Sequence, residues 1–197
     1  MATILRNWLA RRRIAISLIG FTSLILANIF VFKTVPHNPF ELANPMVIGS
    51  LALLTLGLAI RSWSAGTLMK SRQLTTSGPY AVVRNPLYVG SFMMMLGFCL
   101  LCRDIPTTVF VFGPMALLYW VQVQFEEIRL AKLFPDTWQQ YRQATPRFIP
   151  SKLQRLSLRG WSWREWMDNR EYKAVSASVV GILGIYAWYL FCMGQAT

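Results

Sequence analysis

The sequence predicts an all-α integral membrane protein, a bundle of about five transmembrane helices. Of its 197 residues, 54% are hydrophobic and only 14% are charged, whereas a soluble domain carries about 25% charged residues. The apolar residues are gathered in long runs separated by polar segments, and no run shows the alternation typical of strands. Low charge and long apolar runs together indicate helices that cross a bilayer.

The first two runs are long enough to span the membrane. Residues 14–32 follow three arginines, exceed the apolar region of a signal peptide and lack a small-x-small cleavage site, which predicts an uncleaved first span. A loop rich in proline and asparagine, residues 33–45, leads to a second span over residues 46–63. Small residues let membrane helices approach closely. The glycines of this region are Gly49, Gly57 and Gly66.

The next two apolar runs predict a tilted helical hairpin. Residues 87–102 reach only about 24 Å at helical rise, against a hydrocarbon core of about 30 Å, so whether the hairpin crosses fully stays open. Residues 103–106 form a tight turn, and residues 107–123 return. A polar, basic, Trp-rich region, residues 124–173, precedes a last span over residues 174–193.

The distribution of basic residues predicts the orientation and argues against a nucleic-acid partner. The net charge is +12, with 20 Lys and Arg against 8 Asp and Glu. With five spans and a cytoplasmic amino terminus, only Lys33 and Arg103 fall on the far side. This asymmetry follows the positive-inside rule and explains the basic pI without nucleic acid. We therefore expect a bacterial inner-membrane protein with its amino terminus cytoplasmic and its carboxyl terminus extracytoplasmic.

The chain divides into three predicted parts. Residues 1–45 hold the first span and the far-side loop, residues 46–150 form a core, and residues 151–197 hold an interfacial segment and the last span. Within the third part, tryptophans and leucines occur among arginines over residues 153–172, which is typical of a segment in the lipid headgroup region. Cys99 and Cys102 are interpreted as packing residues of one helical face.

One polar stretch, residues 75–90, stands between two long apolar runs. Its breaker pairs, Gly78-Pro79 and Asn85-Pro86, exclude a continuous helix. Pro86 suits the first turn of a new helix, whose amino-terminal N–H groups and dipole would face Tyr80 and Arg84. Such a helix start is a natural seat for an anionic ligand group.

A second polar cluster falls where the fourth span meets the cytoplasm. Glu126 shares a helical face with Leu130 and Leu133, and Glu127 lies about 100° around the helix. Adjacent carboxylates at a membrane boundary are costly unless they are solvated or bind a positive group. Two interpretations remain: a solvated helix end, or one carboxylate in a site and the other in a surface ion pair.

These motifs, in their order and spacing, resemble the isoprenylcysteine carboxyl methyltransferase / phospholipid methyltransferase superfamily over about residues 45 to 150. The motifs are Gly78-Pro79-Tyr80, Arg84-Asn85-Pro86-Leu87-Tyr88-Val89-Gly90, Glu126-Glu127-x-x-Leu130, Tyr141 and Pro146-Arg147-Phe148-Ile149-Pro150. The resemblance implies an S-adenosylmethionine-dependent membrane methyltransferase with a cofactor pocket at the cytoplasmic face. The cofactor residues it implies are Gln73, Leu74, Thr75, Tyr80, Asn85, Pro86, Leu87, Tyr88 and Glu126.

The chemistry of these residues agrees with that implication. Arg84 and the helix start suit the cofactor carboxylate, Glu126 suits its ammonium or ribose hydroxyls, and Tyr80 and Tyr88 suit adenine or the sulfonium. We expect Arg84, Asn85 and Glu126 to act in catalysis, and no metal ion is expected.

The chain departs from the family pattern at Asn85, where the family's R-H-P motif has histidine. His37, the only histidine, lies in the far-side loop, so the predicted site lacks a histidine base. A carboxylate, or a thiol already partly ionised, would not need one. Lipid amines, small thiols and lipidic carboxylates all remain possible acceptors, lipophilic or small and reached through the bilayer.

Two other functions remain open from the sequence. A sterol-reductase-like membrane oxidoreductase has a similar Arg-x-Pro-x-Tyr pattern but binds NADPH. A non-catalytic membrane scaffold would bind neither cofactor. A soluble Rossmann methyltransferase is excluded, because the chain has neither a G-x-G-x-x-G motif nor a strand pattern.

Overall fold

The computed structural model describes residues 19–70, 72–150 and 160–195, and in these ranges every regular element is helical. The arginines at 11–13, the beginning of the predicted first span at 14–18, and residues 153–159 of the predicted interfacial segment lie outside the described residues. The predicted all-α class is confirmed.

The described chain forms α-helices and two shorter helical turns. In chain order they are α1 (Ile19–Phe30), α2 (Pro45–Thr67), a 3₁₀ turn (Gly78–Ala81), α3 (Pro86–Cys102), α4 (Ile105–Phe110), a π-helical turn (Val111–Met115), α5 (Ala116–Leu133), α6 (Pro135–Ala144), α7 (Trp163–Asp168) and α8 (Tyr172–Gly194).

Three helical stretches of the described chain are long and apolar enough to cross a membrane: Pro45–Thr67, Ile105–Leu133 and Tyr172–Gly194. Large apolar side chains on all three remain exposed, among them Leu56, Leu117 and Val180. Helices that are apolar on every side are suited to a lipid surround. The protein is therefore a helical membrane bundle.

The predicted count of five spans stays a prediction. The helices α1 and α3 are apolar but shorter, and the 17 residues of α3 correspond to about 25 Å against a core of about 30 Å. The helix α5 continues beyond the end of the fourth apolar run at residue 123 to Leu133, in agreement with the helical face assigned to Glu126, Leu130 and Leu133. No proline occurs between Pro114 and Pro135, so the helix carries its polar end well beyond the apolar run.

Two compact units make up the chain, and each has its own packing. The described part of the first consists of residues 19–53, 95–124 and 180–195. In this unit Asn28 is buried and donates from Nδ2 to Thr107 Oγ1 at 3.5 Å. Cys99 and Cys102 are buried and free, in agreement with their interpretation as packing residues.

The described part of the second unit consists of residues 54–70, 72–94, 125–150 and 160–179. Its helices approach closely at two glycines: a Cβ atom on Gly57 would lie 2.6 Å from the carbonyl oxygen of Gly90. Only the missing side chains allow this contact between α2 and α3. All the predicted site residues belong to this unit.

Candidate active site

The polar stretch between α2 and α3 is folded tightly against the end of α2. Gly78 has φ +58°, and a Cβ there would lie 3.2 Å from Thr67 Cγ2 and 3.4 Å from Trp63 Nε1. Glycine supplies this left-handed turn without strain. Gly78 is also the first residue of the 3₁₀ turn, which has Pro79 in its second position and buries Tyr80. The carbonyl oxygen of Tyr80 accepts a 2.8 Å hydrogen bond from Tyr141 Oη.

The helix α3 begins at Pro86, as the Asn85-Pro86 pair predicts. The carbonyl oxygen of Asn85 accepts hydrogen bonds from the N–H groups of Tyr88 and Val89, at 3.1 and 3.2 Å. Asn85 and Pro86 are both buried, and Leu87 and Tyr88 are half-buried. The backbone of Asn85 thus fixes the first turn of α3, independently of its side chain.

Glu127 is the centre of a buried ionic cluster, which we call the Glu127 cluster. Arg147 binds it through two bonds, Nη2 to Oε2 at 2.6 Å and Nε to Oε1 at 3.1 Å. Arg84 Nε lies 3.2 Å from Oε1, and Asn85 Nδ2 donates to the same oxygen at 3.2 Å. Since Glu127 is only 8% exposed, it is not a solvated helix end.

The cluster also fixes Arg84, one of the residues expected to act in catalysis. Its Nη1 donates to the carbonyl oxygen of Arg142 at 2.7 Å, and its guanidinium carbon lies 5.9 Å from the centre of the Trp138 ring. Its backbone N–H donates to the carbonyl oxygen of Pro146 at 2.8 Å. Arg84 therefore serves to join α6 and the Pro146 segment to the start of α3.

Glu126 points to a different neighbour, Tyr88. The Tyr88 hydroxyl donates to Glu126 Oε1 at 2.7 Å, and Glu126 is half-buried. The structure therefore brings together Tyr88 and Glu126, two predicted cofactor residues that are 38 positions apart.

Tyr80 carries a buried hydroxyl that has no hydrogen-bond partner among the residues that the structure describes. Burial, reinforced by the nearby Tyr141, Glu126 and Glu171, raises the pKa of Tyr80 well above its ordinary value, although Arg61 opposes this. The phenol therefore stays neutral at physiological pH and can both donate and accept. Buried polar groups without partners are rare, so this hydroxyl is suited to a bound polar ligand.

The remaining predicted residues lie at the end of α2. Thr75 is buried and accepts a 3.1 Å hydrogen bond from the Met69 N–H through Oγ1. Gln73 is exposed, Leu74 is half-buried, and Gln73 Nε2 lies 2.8 Å from Met69 Sδ.

Sequence reasoning gave no role to Arg147 and left that of Glu127 open. The sequence feature that could have identified Arg147 is its place in the Pro146–Pro150 motif, where it is the charged residue between the two prolines. Its pairing with Glu127 joins residues 20 positions apart, and no local pattern predicts that contact. Arg61 and Glu171, which form a further buried ion pair, were missed for the same reason.

Apolar helices, a polar helix start and a paired carboxylate at a helix end define a membrane-embedded helical protein, and the comparisons with known proteins assign it to a family. Residues 58–137 match the phospholipid methyltransferase family. Two bacterial relatives each align over 78% of this chain: the cobalt-zinc-cadmium resistance protein CzcN of Cupriavidus metallidurans and the nickel-cobalt-cadmium resistance protein NccN of Alcaligenes xylosoxydans xylosoxydans. They are 31% and 30% identical, over 69% and 70% of their own lengths.

A third relative is the protein-S-isoprenylcysteine O-methyltransferase of Schizosaccharomyces pombe, 32% identical over 51% of this chain and 43% of its own. The chain belongs to the isoprenylcysteine carboxyl methyltransferase / phospholipid methyltransferase superfamily. No solved structure matches it.

Proposed function

We propose that this protein transfers a methyl group from S-adenosylmethionine to a lipophilic acceptor that reaches the site from the bilayer. The observation that carries the proposal is the Tyr88–Glu126 hydrogen bond beside the unpartnered, buried Tyr80 hydroxyl, in a chain of a methyltransferase family. S-adenosylmethionine would supply an electrophilic methyl group on a positively charged sulfur.

The residues of the second unit suit the polar groups of that cofactor. Glu126 offers a carboxylate for an ammonium or for ribose hydroxyls. The rings of Tyr80 and Tyr88 offer faces for a cationic or aromatic group, and the Tyr80 hydroxyl offers one unused hydrogen bond. Asn85 and Arg84 would act through the shape of the α3 start rather than by moving a proton.

Methyl transfer requires little acid–base catalysis by the protein. It is an in-line displacement in which charge becomes more diffuse, so alignment and exclusion of water are the main contributions of the site. Asn85 has no proton to give at neutral pH, and the Tyr80 phenol stays neutral because its pKa is raised. The site therefore suits an acceptor that is already nucleophilic, such as a carboxylate, a partly ionised thiol or a free lipid amine.

The relatives named for metal resistance do not alter the proposed chemistry. In the ranges that the structure describes, no three His, Cys, Asp or Glu side chains are grouped as metal ligands would be. The proposal takes from these relatives only their family membership.

Binding of two labelled cofactors by the purified protein in lipid nanodiscs tests the proposal. We expect saturable binding of S-adenosylmethionine and none of NADPH, and we expect Tyr88→Phe, which removes one hydroxyl, to weaken the binding about tenfold. Incubation with labelled cofactor and total membrane lipid, resolved by mass spectrometry, then identifies the acceptor. Binding of NADPH alone would favour a reductase, and binding of neither would favour a scaffold.

A further inference from the structure

A segment outside the family match, residues 160–171, is bound along the end of α2, and we call it the strap. The backbone N–H of Ser162 donates to the carbonyl oxygen of Gly66 at 2.8 Å, and Asn169 Nδ2 donates to those of Ala65 and Leu68, each at 2.9 Å. The last carbonyls of a helix have no partner within the helix, so the strap satisfies them from outside.

The strap ends in a turn that directs Glu171 back to α2. The helix α7 closes with a Schellman pattern, in which Glu171 N–H donates to Trp166 O at 3.2 Å and Arg170 N–H donates to Met167 O at 2.9 Å. Arg170 has φ +58°, a conformation that glycine usually fills in this motif. The chain accepts the strain of a left-handed residue at this position, and the turn places Glu171 in the interior.

Glu171 then holds the one basic residue within the α2 span, Arg61. The pair is bidentate, with Nε to Oε1 at 2.9 Å and Nη2 to Oε2 at 2.8 Å. The remaining nitrogen of Arg61, Nη1, donates to Ser91 Oγ and to the carbonyl oxygen of Leu87 at 3.5 Å. Arg61 thus joins the strap to the first turns of α3. Ionisable groups at membrane depth are kept mainly where they have a function.

A second ion pair joins the strap to the chain beside the predicted cofactor residues. Arg72 Nη2 lies 2.6 Å from Glu165 Oε2, and Glu165 is buried. Arg72 directly precedes Gln73 in sequence. The strap therefore contacts one end of the stretch that carries Gln73 and Tyr88 directly, through Arg72, and reaches the other end, Leu87 and Ser91, through Arg61.

We propose that the strap is a working part of the methyl-transfer site, in which the Arg61–Glu171 pair positions the first turns of α3 and, through them, the residues that hold the cofactor. Arg61 and Glu171 are positioning residues: their groups are saturated by each other, by Ser91 and by Leu87. This inference rests on the proposed function, and it extends the active unit beyond the core predicted to end at residue 150.

Two variants of the strap that each remove one negative charge test the inference. Glu171→Gln breaks the buried pair with Arg61. Asp168→Asn breaks the exposed pair with Arg164, in which the side chain of Arg164 is 85% exposed and that of Asp168 is 59% exposed. We expect Glu171→Gln to weaken S-adenosylmethionine binding about ten- to a hundredfold, and Asp168→Asn to change it by less than about twofold. Equal affinities would overturn the inference while leaving the proposed function intact.

A double variant separates positioning from folding. Arg61→Met combined with Glu171→Met replaces the ion pair by apolar side chains, which often restores stability, but it loses the contacts to Leu87 and Ser91. We expect its unfolding temperature to return toward that of the wild type while cofactor affinity stays low and kcat falls. Recovery of affinity together with stability would show a purely structural role.

Binding of S-adenosylmethionine by the wild-type protein is measured first, so that failure of the proposed function can be distinguished from failure of this inference. Wild type that binds no S-adenosylmethionine overturns the proposed function, and the inference falls with it. If Glu171→Gln does not fold, the double variant tests whether the ion pair positions α3. Arg61→Lys is its comparison, because lysine keeps the positive charge but lacks the planar set of N–H donors that arginine has.

Discussion

Glu127 is a buried carboxylate shared by two guanidinium groups, and this sharing sets the cost of replacing it. Arg147 and Arg84 approach its two oxygens at 2.6 and 3.2 Å. Removing one member of a buried ion pair costs about 3–5 kcal/mol, because its partners remain buried and uncompensated. The adjacent Glu126 is half-buried and accepts a hydrogen bond from the Tyr88 hydroxyl. Replacing Glu127 should therefore lower mainly the stability of the protein, and replacing Glu126 should lower mainly its affinity for the cofactor.

Glu127→Gln is expected to lower the free energy of unfolding by about 3 kcal/mol. Glu126→Gln is expected to leave stability within about 1 kcal/mol and to weaken cofactor binding by roughly 1.5–3 kcal/mol, the scale of a charge-assisted hydrogen bond. Denaturant unfolding and cofactor titration of both variants measure the two effects. Equal, small effects on binding and stability would contradict both assignments.

Asn85 joins the start of α3 to the Glu127 cluster, with Nδ2 donating to Glu127 Oε1 at 3.2 Å and to the Arg147 carbonyl oxygen at 3.5 Å. Asn85→Ala is expected to weaken cofactor binding by about 1–2 kcal/mol, through the lost hydrogen bonds and a looser helix start. Asn85→His should keep most of the affinity, because Pro86 fixes the backbone.

The pH–rate profile distinguishes a positioning role of Asn85 from proton transfer. An amide does not titrate near neutrality, whereas histidine does. We expect the wild-type profile to lack an inflection near 6.5, and Asn85→His to introduce one. Unchanged affinity and rate in Asn85→Ala would instead make Asn85 a turn former only.

At the scale of elements, the contact between α2 and α3 depends on two glycines. A Cβ on Gly90 would lie 2.7 Å from Arg61 Cγ, and one on Gly57 would lie 2.8 Å from Met94 Cγ. The same helix carries Gly49, where no atom lies within 4 Å of a Cβ. A substitution at Gly49 can therefore serve as the control for the same substitution at Gly57.

Gly57→Ala is therefore expected to destabilise the protein by about 1–3 kcal/mol, because overpacking forces the two helices apart. Gly49→Ala should be neutral or stabilising by about 1 kcal/mol, since alanine is the better helix former. Thermal unfolding in the same detergent compares the two variants. A stable Gly57→Ala protein would mean that the helices can separate at no cost.

At the scale of the whole molecule, the sequence predicted the features that depend on neighbouring residues alone, chiefly the helix boundaries. Breaker pairs and apolar runs placed α2, α3 and α8 within a few residues, because a proline or the end of an apolar run determines a helix boundary locally. The helical face assigned to Glu126, Leu130 and Leu133 agrees with the extension of α5 to Leu133. The partners of Glu127 and Glu171 lie 20 and 110 positions away, and such contacts depend on packing that no window of sequence contains.

The orientation of the chain in the membrane rests on the placement of its basic residues and can be tested with fusions. A reporter that is active only outside the cytoplasm should be silent when fused after Lys152 and active when fused after Thr197, because the positive-inside rule keeps the basic segments cytoplasmic. Cell-surface or periplasmic activity of the two fusions is compared at equal expression. An active Lys152 fusion would overturn the five-span topology.

The Glu127 cluster has a consequence for how this chain can change over evolutionary time. Residues from three separate stretches meet at one carboxylate, so their substitutions share a single set of interactions and their energetic costs do not add. Once Glu127 is lost, replacing Arg84 or Arg147 should cost less than it does in the intact protein, and the reverse also holds. Asn85 is thus one part of a coupled set, and a histidine introduced there meets a cluster already adapted to a neutral amide.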